Sequence, residues 1–304
     1  ELAENKMEVY PLEKNGILYG AIQTGIHNFY AIEDDKSEYL TSIAKFTHVW
    51  MLENGDFKLT RVLSYDHKDF EKPFDTNLLF IDKSETEKAL AYTVNATAVL
   101  ELARISKAFA IPFITYSTDY VFDGEANQPY LSSTNMDPVN YYGSTKSAGE
   151  TLAMEANENT IIIRTSWVFS SHGNNFVKTM MRLMKERESL NIVADQKGRP
   201  TYAKDLAIAT MKMIEAMNVG NTMSGVYHYA NTGETTWFDF AAKIKAIAGL
   251  TCALNPIETK DFPTPAKRPA YSVLDTSKIE EALSLSIPHW EDALAICMKE
   301  INAN

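Results

Sequence analysis

Cysteine is scarce in this sequence, and long hydrophobic runs are absent from it. Cys252 and Cys297 are the only cysteines among 304 residues, and their wide separation argues against a disulfide framework and a cysteine-built metal site. The six histidines show no His-x-x-x-His spacing, so we expect no transition-metal site. No apolar run approaches the roughly 20 residues of a membrane span, and the N-terminus lacks the features of a signal peptide. We therefore expect a cytoplasmic protein with no membrane partner.

Basic residues are also in short supply. The chain has 29 Lys and Arg against 40 Asp and Glu, which gives a formal net charge of -11. Nonspecific binding to nucleic acid needs a basic surface that neutralises phosphates, so we expect no nucleic-acid partner. An anionic ligand would have to be bound by a few local arginines. The 45% hydrophobic content is sufficient for one large or two modest domains.

The predicted secondary structure changes near residue 75. In residues 1–74 we predict antiparallel strands, including a hairpin of Tyr39–Leu52 with Phe57–Tyr65 around Asn54-Gly55. In residues 75–304, short β-branched or aromatic runs alternate with helical patterns, which is typical of an α/β fold with a parallel sheet. The predicted strands are 111–117, 159–169 and 225–231, and the predicted helices are 144–157, 175–188 and 203–217.

A further helix is predicted before the first of these strands. Ser84-Glu85-Thr86-Glu87 has the pattern of a capping box, in which the first and last side chains satisfy free N–H groups at a helix start. An apolar stripe follows at helical spacing, made of Leu90, Val94, Ala98, Leu102 and Ile105. Such a stripe predicts a buried helix face.

The segment NYYGSTKSAGE, residues 140–150, carries the strongest chemical signal. On a helix, Tyr142 and Lys146 share one face because they are four residues apart. A nearby ammonium favours the phenolate form of a tyrosine, so the pair suits proton exchange with a carbinol or ketone oxygen. The spacing alone also fits an ordinary surface helix. Its context favours chemistry, since Thr118 ends the preceding predicted strand, where ligands bind in open α/β sheets.

Seven sequence blocks carry a resemblance to a known family. The blocks are STDYVFDG (117–124), YGSTKSAGE (142–150), IRTSWVFS (163–170), NNFVKTMM (174–181), DQKGRPTYAKDLA (195–207), YHYANTGETTWFDFA (227–241) and RPAYSVLDTSKIE (268–280). In this order and spacing, residues 81–300 resemble the dTDP-4-dehydrorhamnose reductases of the extended short-chain dehydrogenase/reductase family. The resemblance implies an incomplete Rossmann-like parallel sheet with a smaller substrate lobe over about residues 195–304.

The resemblance also implies roles for individual residues. Thr118, Tyr142 and Lys146 resemble the catalytic triad, in which Tyr142 donates the proton while Lys146 lowers its pKa and binds the nicotinamide ribose. Asn95 and Ser117 are expected near the cofactor. The residues expected to contact the substrate are Asp119, Tyr120 and Trp167, with Arg164, Arg199 and Arg268 as partners of its diphosphate.

The implied reaction reduces the C4 ketone of a nucleotide-linked deoxysugar, converting dTDP-4-dehydro-L-rhamnose to dTDP-L-rhamnose. NADPH or NADH would be the cofactor, and the substrate would be a dTDP-sugar. Some relatives use magnesium at a dimer interface, so a homodimer and a magnesium ion also enter the expectations, although no residue here is assigned to the metal.

The glycine turn that binds the dinucleotide is missing from the sequence. The glycines before residue 140 are Gly16, Gly20, Gly25, Gly55 and Gly124, and no three of them fit G-x-G-x-x-G. The first 70 residues resemble instead the C-terminal strands of the nuclear transport factor 2 fold, through residues 20–30 and 44–68. We interpret the chain as a chimera whose two parts, 1–74 and 75–304, meet near Phe74.

Two other functions stay open on the sequence. The reductase-like part could bind a sugar nucleotide without transferring hydride. Alternatively, the N-terminal part could act as a ligand-binding or dimerisation module of the nuclear transport factor 2 kind, for which His48 and His67 are the polar residues to test. A strand histidine is, however, more often packed or solvent-facing than catalytic.

Overall fold

The computed structural model describes the chain in two parts. Residues 81–218 and 222–302 are described in full, and the backbone alone is described for residue 303 and for four strands, 8–14, 17–31, 39–53 and 56–69. The chain divides into two compact units, Glu1–Asn77 and Leu78–Asn304. The four strands of the first unit form one sheet, and the strands of the second unit form sheets of their own.

The N-terminal unit contains one antiparallel sheet. Its strands are β1 (Glu8–Lys14), β2 (Ile17–Ala31), β3 (Tyr39–Glu53) and β4 (Asp56–Asp69), which lie side by side in chain order. Strands β3 and β4 correspond to the predicted hairpin, and they pair with Met51 opposite Lys58. The side chains of His48 and His67 and the turn at Asn54-Gly55 lie outside the described residues. The resemblance to nuclear transport factor 2 therefore stays a prediction.

The second unit is built from helices and short strands. Its first half comprises α1 (Ile81–Thr86), α2 (Lys88–Tyr92), a π turn (Thr93–Thr97), α3 (Ala98–Ala108), β5 (Phe113–Thr118), α4 (Tyr141–Ala156), β6 (Thr160–Thr165) and β7 (Val168–Phe169). Its second half comprises α5 (Phe176–Glu186), β8 (Ser189–Val193), β9 (Lys197–Gly198), β10 (Thr201–Tyr202), α6 (Ala203–Asn218), β11 (Gly225–His228), β12 (Thr235–Thr236), α7 (Trp237–Ala248), β13 (Ala253–Ile257), α8 (Ser277–Leu283) and α9 (Trp290–Ala303).

A three-stranded parallel sheet forms the centre of this unit. The strands lie in the order β11, β6, β5, and all neighbours are parallel. Every residue of β6 is buried, because helices cover both faces. Ile161 and Ile163 pack in a cluster with Met213 of α6, whereas Ile162 packs with Ala153 of α4. The predicted α/β fold with a parallel sheet is confirmed.

A second hydrophobic core lies beyond the sheet. Here β8 pairs with β13 and β7 with β10 in parallel, while β9 pairs with β12 antiparallel. Helix α5 contributes Met180, Met181 and Met184 to this core, and α7 contributes Phe240. The apolar side chains of this core therefore connect the short strand pairs with the helices around them.

The predicted capping box is wrong. Helix α1 already begins at Ile81, so Ser84 lies inside the helix rather than at its start. Glu87 separates α1 from α2 with φ -104° and ψ 48°, and its side chain makes no capping hydrogen bond. The helix start therefore lies three residues earlier than the local pattern indicates.

The predicted apolar stripe also differs from the structure. Leu90, Val94 and Leu102 are 37%, 37% and 46% exposed. The buried side of α2 and α3 consists instead of small residues such as Ala91 and Ala103. Small side chains allow the backbone of these helices to approach α4 closely, and packing against α4 thus decides which face is buried.

Candidate active site

Thr118 lies at the carboxyl end of β5, at the edge where ligands bind in parallel sheets. Its side chain is buried, and its hydroxyl donates to Asp119 Oδ1 at 3.0 Å. The same oxygen accepts the backbone N–H of Tyr120 at 3.2 Å, which starts a short 3₁₀ turn at Asp119–Val121. The strand end is thus held in one conformation by the Thr118 side chain.

Helix α4 brings Tyr142 to this strand end. Asn140 caps the helix by accepting the N–H of Gly143 at 2.8 Å. The Thr118 side chain is close enough to the Tyr142 phenol to lower the pKa of Tyr142, and the Tyr142 ring lies 6.0 Å from that of Tyr120 in an edge-to-face contact. Thr118 and Tyr142, predicted to act on one substrate oxygen, are therefore neighbours.

Two glycines of the YGSTKSAGE segment allow α4 to lie so close to its neighbours. A Cβ on Gly143 would come within 2.1 Å of the carbonyl oxygen of Tyr120. A Cβ on Gly149 would come within 2.0 Å of the carbonyl oxygen of Asn95. Neither position has room for a methyl group, so glycine is required at both for close packing.

Lys146 lies one turn beyond Tyr142 on α4. Its Nζ donates to the backbone carbonyl of Tyr116 on β5 at 2.7 Å. Burial lowers the pKa of the Lys146 ammonium, while the charge of Glu150 opposes that shift. The lysine is therefore directed toward the end of β5, as the family resemblance implies.

The protein groups around Tyr142 do not favour its phenolate. Burial raises the pKa of Tyr142 to about 12, the negative charge of Asp119 adds to that increase, and the Thr118 side chain opposes it. The resemblance implies that Lys146 lowers the pKa of Tyr142. In this arrangement burial and Asp119 outweigh any such effect.

Asp119 is a buried carboxyl group beside the phenol. Burial raises the pKa of Asp119 to about 6, and hydrogen bonds with Ser272 and Thr118 oppose the increase. The neighbouring Tyr120 is also buried, and the Arg268 guanidinium lies 5.9 Å from its ring centre. Asp119 and Tyr120, which the resemblance places at the substrate, thus adjoin Thr118 and Tyr142.

The two residues expected near a cofactor, Asn95 and Ser117, are both buried. Asn95 is buried in the π turn and donates from Nδ2 to Thr145 Oγ1 on α4 at 3.0 Å. The Ser117 hydroxyl is buried and has no hydrogen-bond partner within the residues that the structure describes. Such a hydroxyl can serve a bound ligand at low cost, since it gives up no protein partner.

Comparison with known proteins identifies the family. The family model for the RmlD substrate binding domain matches residues 79–303. The chain belongs to this RmlD family. The dTDP-4-dehydrorhamnose reductase of Burkholderia thailandensis is 40% identical over 233 residues, which are 73% of this chain and 78% of that protein. The reductase of the same name from Escherichia coli K12 is 40% identical over 227 residues, 73% of this chain and 76% of its own.

A solved structure of the RmlD family agrees with the fold described above. The crystal structure of dTDP-4-dehydrorhamnose reductase from Bacillus anthracis str. Ames in complex with NADP superposes with a TM-score of 0.69 at 39% sequence identity. The match covers 72% of this chain and 76% of that one. The resemblance stated from the seven sequence blocks is thereby confirmed at the level of the family.

Arg164 differs from its predicted place in this RmlD-family chain. The predicted role was to bind the substrate diphosphate, yet its guanidinium is buried and binds the Glu150 carboxylate through Nε and Nη2 at 2.7 to 3.1 Å. A guanidinium already paired in the interior is not available to a diphosphate. The position of Arg164 near the carboxyl end of β6, every residue of which is buried, explains the difference.

Arg268 and Arg199 lie nearer the expected site. Arg268 Nη2 donates to Asp82 at 2.8 Å, and its Nη1 is buried with no partner in the described part of the chain. Arg199 Nη1 donates to the carbonyl of Leu274 at 3.0 Å, and its Nε likewise lacks a described partner. Among the described residues, Nη1 of Arg268 and Nε of Arg199 therefore have no hydrogen-bond partner, and each could donate to an anionic group.

Trp167 has an unusual backbone conformation and a stacked ring. Its φ is +47°, and its indole stacks on Trp237 with ring centres 3.6 Å apart. Gly198 supports the stack, since a Cβ there would lie 2.5 Å from the Trp167 ring. Trp237 is fixed in turn by a hydrogen bond from Nε1 to Gln196 at 3.1 Å.

A cavity of about 760 Å³ lies next to this pair. Its lining includes Tyr120 and Arg268, which lie near Tyr142, and Trp237, which belongs to the stacked pair. Trp167 is not among the lining residues. The remaining wall is mostly apolar, with residues such as Met180, Leu183, Ile192 and Phe262, and with Arg187 as a further cation. Trp237 thus presents part of its ring to the cavity while it also packs against the second hydrophobic core.

Metal and membrane features are few in the described residues. No three His, Cys, Asp or Glu side chains there come together as metal ligands. No helix in the described ranges combines the length and the apolar character that a bilayer crossing requires.

Proposed function

We propose that this RmlD-family chain is a reductase of a nucleotide-linked 4-keto-deoxysugar, which converts dTDP-4-dehydro-L-rhamnose to dTDP-L-rhamnose. The observation that carries the proposal is the convergence of Thr118, Tyr142 and Lys146 at the carboxyl end of β5. Relatives that are 40% identical bear the name of this reductase.

Tyr142 is the proton donor in this proposal. Its phenol is protonated at neutral pH because burial and Asp119 raise its pKa to about 12, so a proton is available when the ketone oxygen becomes an alkoxide. The Thr118 side chain is close to the Tyr142 phenol and can hold the same substrate oxygen. The pair then fixes the carbonyl for attack at C4.

The residues present fit the nicotinamide end of a dinucleotide. The Ser117 hydroxyl has no described partner, and Lys146 carries donors beyond the one used by Tyr116. These two groups would hold the nicotinamide ribose, with Asn95 nearby in the π turn. A reduced nicotinamide, NADPH or NADH, supplies the hydride when bound. No glycine turn in the sequence is assigned to the pyrophosphate.

The cavity fits a nucleotide diphosphate. Its apolar wall and the ring of Trp237 suit a pyrimidine base, and the free donor of Arg268 suits a phosphate oxygen. Arg268 also adjoins Tyr120, which contacts the Tyr142 ring. A diphosphate near Arg268 would therefore direct the sugar toward Tyr142. A homodimer and bound magnesium stay predictions without assigned residues.

The test follows NADPH and NADH oxidation with dTDP-4-dehydro-L-rhamnose as substrate. Tyr142→Phe should lower kcat by about 10²- to 10⁴-fold, the usual contribution of a general acid. Tyr141→Phe is the matched control, because it removes a phenol one residue away and should leave kcat nearly unchanged. Failure of the native chain to oxidise either cofactor, or full activity in Tyr142→Phe, would overturn the proposal.

A further inference from the structure

Glu150 continues the line of catalytic side chains along α4. Tyr142, Lys146 and Glu150 follow one another at intervals of four residues, so they lie on one side of the helix. Lys146 reaches the Tyr116 carbonyl, whereas Glu150 lies one turn deeper with only 2% of its side chain exposed. A buried carboxylate next to the lysine needs a partner of its own.

Arg164 is that partner. Its Nε donates to both carboxylate oxygens of Glu150 at 3.0 and 3.1 Å, and its Nη2 donates to Oε2 at 2.7 Å. The arginine side chain is 3% exposed, and its guanidinium lies over the Phe122 ring at 5.1 Å. The carboxylate is therefore held in one position by a rigid fork between β6 and α4.

The groups next to the Arg164–Glu150 pair decide which negative charge acts on Lys146. His228 on β11 lies 3.5 Å from Arg164 Nη1, and burial together with the Arg164 charge lowers the pKa of His228 to about 3. The imidazole is therefore neutral at physiological pH. Among the described residues, the backbone carbonyl of Tyr116 on β5 accepts a hydrogen bond from Lys146, and the Glu150 carboxylate is the charge that acts on its pKa, so Glu150 supplies the negative charge.

Stability alone does not explain a buried ion pair. The free energy needed to desolvate both charges often exceeds their attraction, and apolar pairs of similar volume are commonly as stable. We propose that Arg164 and Glu150 are positioning residues for Lys146: the guanidinium fixes the carboxylate on the lysine side of α4, and the carboxylate keeps the Lys146 ammonium charged and directed at the end of β5. Because Lys146 is the residue proposed above to bind the ribose, this role deepens the proposed function and rests on it.

The pKa of Lys146 can be measured without substrate or cofactor. Trace acetylation with acetic anhydride over a range of pH, read by mass spectrometry of the Lys146 peptide, reports the neutral amine of that residue. Glu150→Gln should lower the pKa of Lys146, because burial then acts unopposed, and its acetylation at pH 8 should become several-fold faster. Glu186→Gln, which breaks the exposed Arg182–Glu186 pair, is the matched control and should change nothing at Lys146.

The double variant separates this role from a structural one. Glu150→Gln with Arg164→Met removes both charges while keeping the volume, so it should recover most of the thermal stability lost in Glu150→Gln. The lysine should still be acetylated faster than in the native chain. Native acetylation kinetics at Lys146 in this folded double variant would overturn the proposal.

A third variant covers the case in which neither neutral variant folds. Glu150→Asp retains the charge, so Lys146 should keep a titration close to the native one, and faster acetylation there would overturn the role of the carboxylate. Because every measurement uses the ligand-free chain, these results stand apart from the reductase assay. Absence of hydride transfer in the native chain, with an altered Lys146 titration in Glu150→Gln, would refute the proposed function alone.

Discussion

The carboxyl group of Asp119 raises the pKa of the Tyr142 phenol beside it. The two residues approach each other from different elements, the 3₁₀ turn after β5 and the first turn of α4. Thr118 acts on both, since its hydroxyl donates to Asp119 Oδ1 and its side chain lowers the pKa of Tyr142. The ionisation of Asp119 and that of Tyr142 therefore oppose each other.

Removal of the Asp119 charge should make the Tyr142 phenol more acidic. In Asp119→Asn the side-chain shape is kept while the negative charge is lost, so the pKa of Tyr142 should fall below about 12. Phenolate absorbance at 295 nm measures this when spectra of matching Tyr142→Phe variants are subtracted. The titration is read over the pH range in which far-UV circular dichroism stays constant. Identical phenol titrations with Asp119 and with Asn at this position would contradict the prediction.

The contribution of Asp119 to stability should fall as pH rises through the titration of its carboxyl group. Its pKa is raised from 3.8 to about 6 in the folded chain, so between these values the folded state retains a proton that the unfolded state has lost. The contribution is fully present below pH 3.8 and is lost as pH rises through about 6. It amounts to at most about 3 kcal/mol.

Urea unfolding at pH 5 and pH 8 measures this dependence. Asp119→Asn should be more stable than the native chain at pH 8, and the difference should shrink at pH 5. Glu300 acts at lower pH, since the pKa of that carboxyl is lowered to about 2 from 4.5. His228, whose pKa is lowered from 6.5 to about 3, makes stability rise with pH in part of this range, but it is present in both proteins and cancels in the difference. An equal stability difference at both pH values would show that Asp119 does not change its protonation between pH 5 and pH 8, and it would contradict the prediction.

Gly149→Ala should destabilise the second unit. Alanine normally favours a helix over glycine by up to about 1 kcal/mol. Here the new methyl group would meet the Asn95 carbonyl at 2.0 Å, and overpacking of this kind costs roughly 1 to 3 kcal/mol. The free energy of unfolding measures the net effect. Ser147→Ala on the same helix is the control, and a Gly149→Ala protein more stable than the native chain would contradict the close contact.

Helix α4, which contains Tyr142 and Lys146, could be predicted from the local sequence. The spacing of Tyr142 and Lys146 places them on one helix face whatever the rest of the fold, and α4 has them there. Even its start was visible, because Asn140 is a strong N-cap residue and the observed helix begins directly after it, at Tyr141. The predicted start at Ser144 overlooked that signal.

Arg164 could not be assigned from its own surroundings. A lone cation inside the apolar run of β6 indicates a buried pair, but its partner Glu150 lies on a different element and only the fold brings the two together. The face of α2 and α3 that becomes buried likewise depends on α4. Trp237 belongs with these cases, because its ring faces a cavity that several distant segments create.

The π turn at Thr93–Thr97 sets the rotational phase of the chain before α3. An α-helix advances by about 100° per residue, and a π turn contains one residue more than the regular winding needs. Deletion of one residue there would give a regular α-helix. It would also rotate α2 about its axis, so that Ala91 would leave the buried face and a larger side chain would take its place. The number of residues in this turn therefore determines which side chains of α2 are buried, and the fold depends on it as much as on the side chains within the turn.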